Sequence, residues 1–259
     1  PISSPISPAE VRQALRQAKL NKAAGPDLVS NELLVHLGSD ALEVIRTLAM
    51  LSYESAEVPD MWRKGIVIPL LKPNKDAQFA SSYRPICLTS QLGKLIERIF
   101  ENRLRHDLES RGQLHFNQAG FRSERSAPEN ITLLAQKLRD GQQNFKSGAL
   151  LFIDFEKAFD KVWKNRVYQR LLDKGVELSL CRWVRAWLNQ RFFKVRFNGC
   201  DSPWTQQREG LPQGSVLGPL LFSIFIDELT AQLATLDDCV APLYADDIAI
   251  LALAPNRNP

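Results

Sequence analysis

Two adjacent acids, Asp246 and Asp247, follow Tyr244 and Ala245 and stand between apolar runs at residues 240–243 and 248–253. Apolar segments flanking a tight polar pair read as a β-hairpin with the acids at its tip. A rigid hairpin holding two carboxylates suits a divalent cation, because Mg²⁺ takes hard oxygen ligands in a fixed octahedral arrangement. Asp is also a common turn residue, so the pair has a plain structural reading too. A third carboxylate and a nucleotide site elsewhere in the chain would decide between the two.

The run Ala149-Leu150-Leu151-Phe152-Ile153 is wholly apolar and reads as a buried strand. It ends in Asp154, followed by Phe155-Glu156-Lys157-Ala158-Phe159-Asp160. An acid at the C-terminal end of a buried strand lies where α/β sheets usually place function. Either acid could instead start the next helix as an N-cap, a role that suits Asp160 better than Asp154. Further on, Glu209-Gly210-Leu211-Pro212-Gln213-Gly214-Ser215-Val216-Leu217-Gly218-Pro219 sets a specific backbone path ahead of a helix. In that helix Leu220, Leu221, Ile224, Phe225 and Leu229 recur at helical spacing. Glycine there lets the backbone approach a ligand, and the helix start offers free N–H groups to an anion or a base.

Together these segments resemble a reverse transcriptase. Residues 154–160 fit the family's D-x-x-x-A-F-D, residues 210–215 fit G-x-P-Q-G-S, and residues 244–247 fit Y-A-D-D, in the family's order. Lys22-Ala23-Ala24-Gly25-Pro26-Asp27 is similar to the K-x-x-G-P-D segment that opens the domain in non-LTR (LINE-like) retrotransposons. Trp62 through Lys72-Pro73, then Tyr83-Arg84-Pro85-Ile86, resembles the next block, and Gln118-Ala119-Gly120-Phe121-Arg122 resembles Q-x-G-F-R. Ala158 before Phe159, Ser215 after Gly214 and the opening block favour a non-LTR element over a retroviral or intron enzyme.

The resemblance implies an α+β right-hand polymerase fold, with fingers over residues 1–146 and palm over 147–259. The sequence ends soon after Asp247, where the family continues into the rest of the palm and a thumb, so it is read as a fragment. The implied activity is RNA-directed DNA synthesis by two-metal phosphoryl transfer onto a primer 3′-hydroxyl, serving retrotransposition. Asp154, Asp246 and Asp247 are the implied catalytic metal ligands, with the Phe155 carbonyl as a further one. The implied cofactor is a pair of Mg²⁺ ions, with Mn²⁺ as an alternative. Phe159 corresponds to the gate that excludes a ribose 2′-OH, although Phe is also a common core residue. That gate disfavours an RNA-synthesising polymerase; a non-catalytic RNA-binding remnant is the other alternative. Gln213 and Gly214 would contact the incoming nucleotide. Lys72 and Arg84 are candidates for its triphosphate, Arg by its planar fork, with a solvated basic surface as the alternative. Arg122, Arg182, Arg185 and Tyr244 are candidates for template and primer. The implied partners are an RNA template, a DNA primer or target, and dNTPs. The implied location is intracellular, in nucleus and cytoplasm.

The rest of the chain is compatible with this. Its 259 residues are enough for one or two domains, and 44% hydrophobic with 24% charged content is ordinary for a globular protein. The net charge of +4 permits nucleic-acid binding without requiring it. Basic Arg182, Arg185, Arg191, Lys194 and Arg196 interleave with Trp183, Trp187, Phe192, Phe193 and Phe197, a mixture suited to a nucleic-acid track. Leu180, Trp183, Val184, Trp187 and Leu188 nevertheless have the spacing of a helix face turned to the core. The cysteines, Cys87, Cys181, Cys200 and Cys239, are scattered, which argues against a structural zinc site and for a reducing compartment. No apolar run is long enough to predict a membrane span, and no signal-peptide pattern opens the sequence. Local patterns predict a loose tail at residues 1–6 and a capped helix from Ser7 to about Leu20. Further helices are expected within 31–51, 92–104, 127–140, 164–173 and 180–189, and a strand over 192–198.

Overall fold

A computed structural model describes residues 4–123 and 125–255, and it is α+β. The chain gathers into two compact units, one from residues 1–107 and 159–218, the other from residues 108–158 and 219–259. No helix among the described residues is long and apolar enough to cross a membrane.

The first unit starts at α1 (Pro8–Arg16). Ser7 and Glu10 cap it reciprocally: the Glu10 amide donates to Ser7 Oγ at 3.3 Å, and the Ser7 amide to Glu10 Oε2 at 2.8 Å. The helix stops short of Leu20 because its buried face consists only of Val11, Ala14 and Leu15, and Leu20 is exposed. The expectation of a loose tail fails for residues 4–6; residues 1–3 lie outside the described residues. Ile6 is buried, and Arg103 donates to Ser4 and Pro5 carbonyls while pairing with Glu10.

Next come α2 (Asn31–Val35), α3 (Ser39–Ser55), α4 (Asp60–Arg63), β1 (Lys64–Leu71), β2 (Tyr83–Thr89) and α5 (Gln91–Ser110). The apolar stripe predicted for α5 forms the core: Leu95, Ile96, Ile99, Phe100 and Leu104 are all buried. Two further helices, α6 (Ala127–Gln143) and α7 (Lys164–Asp173), are separated by β3 (Lys146–Asp154); α8 (Leu178–Leu188) and β4 (Arg191–Phe197) follow. Trp183 of α8 lies against Phe100 at 4.3 Å between ring centroids, and Tyr53 stacks on the same ring at 5.3 Å. The apolar face of α8 is thus core, and Arg182 and Arg185 stand on its exposed face. In the sheet of this unit β1 is antiparallel to β2 and parallel to β4, which also pairs with β5 (Cys200–Asp201) and β6 (Thr205–Gln207).

The second unit holds the other sheet. After α9 (Gly218–Leu233) come β7 (Cys239–Val240), β8 (Leu243–Tyr244) and β9 (Asp247–Pro255). β9 is antiparallel to β3, β7 and β8. The first arm of the hairpin is broken into β7 and β8 at Ala241-Pro242, where proline has no N–H to donate. The predicted strand at 149–153 is present as part of β3, but it is not buried. Leu150, Leu151 and Phe152 are 48%, 57% and 72% exposed. The reason is topological: among the described residues β3 is an edge strand, paired with β9 alone, so its apolar run is left partly uncovered.

Trp183→Ala should lower the unfolding free energy by ~3–5 kcal/mol, the usual cost of emptying a buried aromatic site. Arg182→Ala, on the other face of the same helix, should cost less than about 0.5 kcal/mol. Urea denaturation midpoints of the two variants check the assignment of faces.

Candidate functional site

In the second unit, β3 and β9 pair continuously from Lys146↔Pro255 to Asp154↔Asp247. Directly opposed residues on antiparallel strands point to one face, so this register puts two carboxylates side by side at the end of the sheet. Asp246 lies in the turn between Tyr244 and Asp247, which pair and close the hairpin. Ala245, first in that turn, has φ 58°, a conformation that costs a non-glycine residue about 1 kcal/mol. Asp154 ends β3 and caps no helix, and Phe155 follows it half-buried.

The segment of Asn117 to Gly120 holds the hairpin from one side. The Leu243 amide donates to Asn117 O at 2.8 Å, and the Ala119 amide to Leu243 O at 2.9 Å. Gln118 Nε2 donates to Ser223 O at 3.1 Å. Gly120 has to be glycine here, because a Cβ on it would collide with the Ala245 amide nitrogen. Arg122 is nearly buried and is engaged in building this segment: it pairs with Glu109 and donates to the His115 and Gln118 carbonyls. Tyr244 is exposed, and with Ile131, Leu134, Phe152, Asp154 and Asp247 it lines a groove of about 390 Å³.

Among the described residues no group of three His, Cys, Asp or Glu side chains is close enough to hold a metal ion as it stands. The donor set nevertheless suits a hard divalent cation. The carboxylates of Asp154, Asp246 and Asp247 have no hydrogen-bond or ion-pair partner among the described residues, so their oxygens are unspent.

In the first unit, the Gly210–Gly218 loop is fastened along its length. Its front is tied to the short 3₁₀ turn Phe159–Lys161 and the residue after it. The Gly210 amide donates to Val162 O at 3.0 Å, and the Leu211 amide to Phe159 O at 2.8 Å. Gly210 has φ +78°, and a Cβ there would come within 2.6 Å of Asp160 O. Gln213 Nε2 donates to Asp160 Oδ1 at 3.0 Å, so Asp160, read from sequence as a helix cap, is instead the partner of the loop's amide. The middle of the loop rests on β2, where the Cys87 amide donates to Gln213 O at 3.2 Å. Gly214 is exposed and Gln213 and Phe159 are half-buried.

The rear of the loop corrects a second expectation. The amides before α9 are not free for a ligand. Val216 N and Leu217 N donate to Glu97 Oε2 at 2.8 and 3.4 Å, and Gly218 N donates to Ser215 Oγ at 3.1 Å. A buried glutamate from α5 therefore occupies the position kept in other folds for a bound anion. The sequence reading missed Glu97. Its one available signal was an acid set among Leu95, Ile96, Ile99 and Phe100 on a strongly apolar helix.

Lys72 follows β1 directly, as expected, and its Nζ donates to Ser81 O at 3.0 Å. Arg84 is exposed on β2, opposite Leu70. Arg185 lies over the Tyr168 ring at 5.0 Å, and Arg182 is exposed. The structure therefore brings Lys72, Arg84, Gln213 and Gly214 onto the β1–β2 hairpin and the loop it supports, and brings the three acids and Tyr244 to one end of the second sheet.

Residues 71–257 match the family model described as reverse transcriptase (RNA-dependent DNA polymerase). Among curated proteins, the chain is 32% identical over 251 residues to the probable RNA-directed DNA polymerase from transposon BS of Drosophila melanogaster, covering 95% of this chain and 28% of that protein. It is 30% identical over 255 residues to the RNA-directed DNA polymerase from mobile element jockey of the same organism, covering 96% of this chain and 27% of that protein. A more distant relative, 26% identical over 226 residues, is the Pol polyprotein from the type-1 retrotransposable element R2 of Popillia japonica, with 84% of this chain and 31% of that protein covered. The chain thus spans between a quarter and a third of the length of these relatives.

Gly120→Ala should destabilise the second unit by about 1–3 kcal/mol and shift the Ala245 amide resonance, because backbone must move to admit the methyl group. Gly38→Ala, where an added Cβ meets nothing within 4 Å, is the control and should leave both unchanged.

Proposed function

The chain belongs to the reverse transcriptase family, and from that premise we propose that it is the catalytic portion of an RNA-directed DNA polymerase serving a non-LTR retrotransposon. The observation that carries this reading is the Asp154↔Asp247 register with Asp246 beside it, three carboxylates without protein partners at one sheet end. The relatives' names point to the same chemistry. The division into fingers at residues 1–146 and palm at 147–259 belongs to this proposal, as does action inside the cell on an RNA template with a DNA primer or target.

Asp154, Asp246 and Asp247, with the Phe155 carbonyl, would hold Mg²⁺, or Mn²⁺ in its place. When bound, such ions supply a lowered pKa at the attacking 3′-hydroxyl and neutralise charge on the triphosphate. The residues of the chain then attract, orient and select. Lys72 and Arg84 draw the triphosphate of the incoming dNTP, Arg84 by a planar fork matched to phosphate oxygens. Gln213 and Gly214 meet the nucleotide beside its sugar, where an exposed Gly214 admits close approach of the substrate. The Phe159 ring excludes a ribose 2′-OH by bulk. Tyr244, Arg182 and Arg185 face primer and template, the two arginines contributing affinity by neutralising backbone phosphates; Arg122, expected from sequence to join them, is instead spent on Glu109 and on the carbonyls of His115 and Gln118.

The test is primer extension on an RNA template with Mg²⁺ and dNTPs, using the full-length protein that carries this chain. Extension should be present in the parent and fall to background in Asp246→Asn/Asp247→Asn; a folded, RNA-binding parent that extends nothing would sink the reading. Phe159→Ala should improve ribonucleotide use relative to deoxyribonucleotide by up to about 10²-fold, the scale on which bulk alone rejects an added hydroxyl. Competition between rNTP and dNTP in the same assay reads this out.

A further inference from the structure

Glu97 is 1% exposed, and its carboxylate accepts hydrogen bonds from outside its own helix. One carboxylate oxygen, Oε1, accepts from Trp187 Nε1 at 3.1 Å; the other, Oε2, accepts from the Val216 and Leu217 amides. Arg191, fully buried and lying over the Trp187 ring at 4.6 Å, donates to Trp187 O at 3.1 Å and is within electrostatic reach of Glu97. Lys94 and Arg98, on the same helix, are attracted to it as well. A buried carboxylate of this kind is costly unless its acceptors are filled, and here they are filled by one indole and two backbone amides.

What Glu97 fixes is the rear of the loop that carries Gln213 and Gly214. The front is pinned to the turn at residues 159–162 by backbone bonds, and the middle to Cys87. Without the rear anchor, Val216 and Leu217 would leave two buried or half-buried amides unpaired, and Gln213 and Gly214 would be held from one side only. Helix-start amides favour a negative charge, so an acid from α5 is the chemically suited anchor.

We propose that Glu97 is a positioning residue for the incoming nucleotide: it touches no substrate, and it sets the backbone of the Gln213–Gly214 contact through the amides of Val216 and Leu217. This rests on the polymerase reading above. Glu97→Leu removes every acceptor and leaves both loop amides without a partner, whereas Glu97→Gln can keep its oxygen on the loop and lose only the Trp187 bond.

The experiment is steady-state primer extension by the full-length protein, with Glu97→Leu, Glu97→Gln and Trp187→Phe compared with the parent. Trp187→Phe removes the indole donor and leaves both loop bonds. Glu97→Leu should raise KM for dNTP roughly tenfold, with primer–template affinity unchanged and kcat within about twofold. Glu97→Gln, with its oxygen on the loop, and Trp187→Phe should each lower the thermal midpoint and leave KM near the parent's value. A parental KM in Glu97→Leu, with only a lowered thermal midpoint, overturns the proposal. Should Glu97→Leu fail to fold, Glu97→Asp decides: a raised KM supports the role and a parental one overturns it. A parent without extension defeats the polymerase reading itself, a result distinct from either.

Discussion

The antiparallel register of β3 on β9 is the constraint on which the second unit depends. It sets Asp154 opposite Asp247, two like charges side by side on neighbouring strands, an arrangement that costs free energy in the bare protein. A slip of one residue would send one of the acids to the other face of the sheet, so the pairing over the full length of β3 holds the acids as firmly as any side-chain contact could. The turn beyond the register is strained at Ala245 and is backed by the Asn117 to Gly120 segment, where a glycine permits the two backbones to touch. Unfavourable charge and unfavourable φ thus sit together, supported by backbone bonding on both sides.

The first unit solves a different problem by the same means. A Gly/Pro loop ahead of a helix is usually a place where amides remain open. Here the chain fills them from within, with Glu97 and Ser215, and leaves Gly214 as the accessible part of the loop. Asp160 performs the corresponding task at the front by accepting from Gln213. The loop is thereby positioned by two acids that lie in different segments of the sequence, neither of which contacts the other.

Much of the secondary structure was legible from the sequence because it rests on local signals. The capping box at Ser7, the apolar stripe of α5 and the core-facing spacing of α8 each declare themselves within a few residues, and the structure has them where the pattern predicts. The acids were legible because their motif is short and contiguous at Asp246-Asp247. What could not be read was pairing at long range. Nothing near Glu97 says that amides at 216 and 217 will meet it, and nothing near Asp160 names Gln213. Burial of β3 was misread for a related reason: an apolar run states that a strand tolerates burial, whereas the number of its neighbours is decided by topology.

That same strand has a further consequence for handling the protein. Residues 148–153 run Gly-Ala-Leu-Leu-Phe-Ile without a charge or a proline, along a sheet edge whose outer N–H and C=O groups lack a strand partner among the described residues. An uncharged apolar edge is a template for intermolecular strand addition, the first step of cross-β association. The strand that delivers Asp154 to its place therefore also gives two copies of the chain a means to zip together.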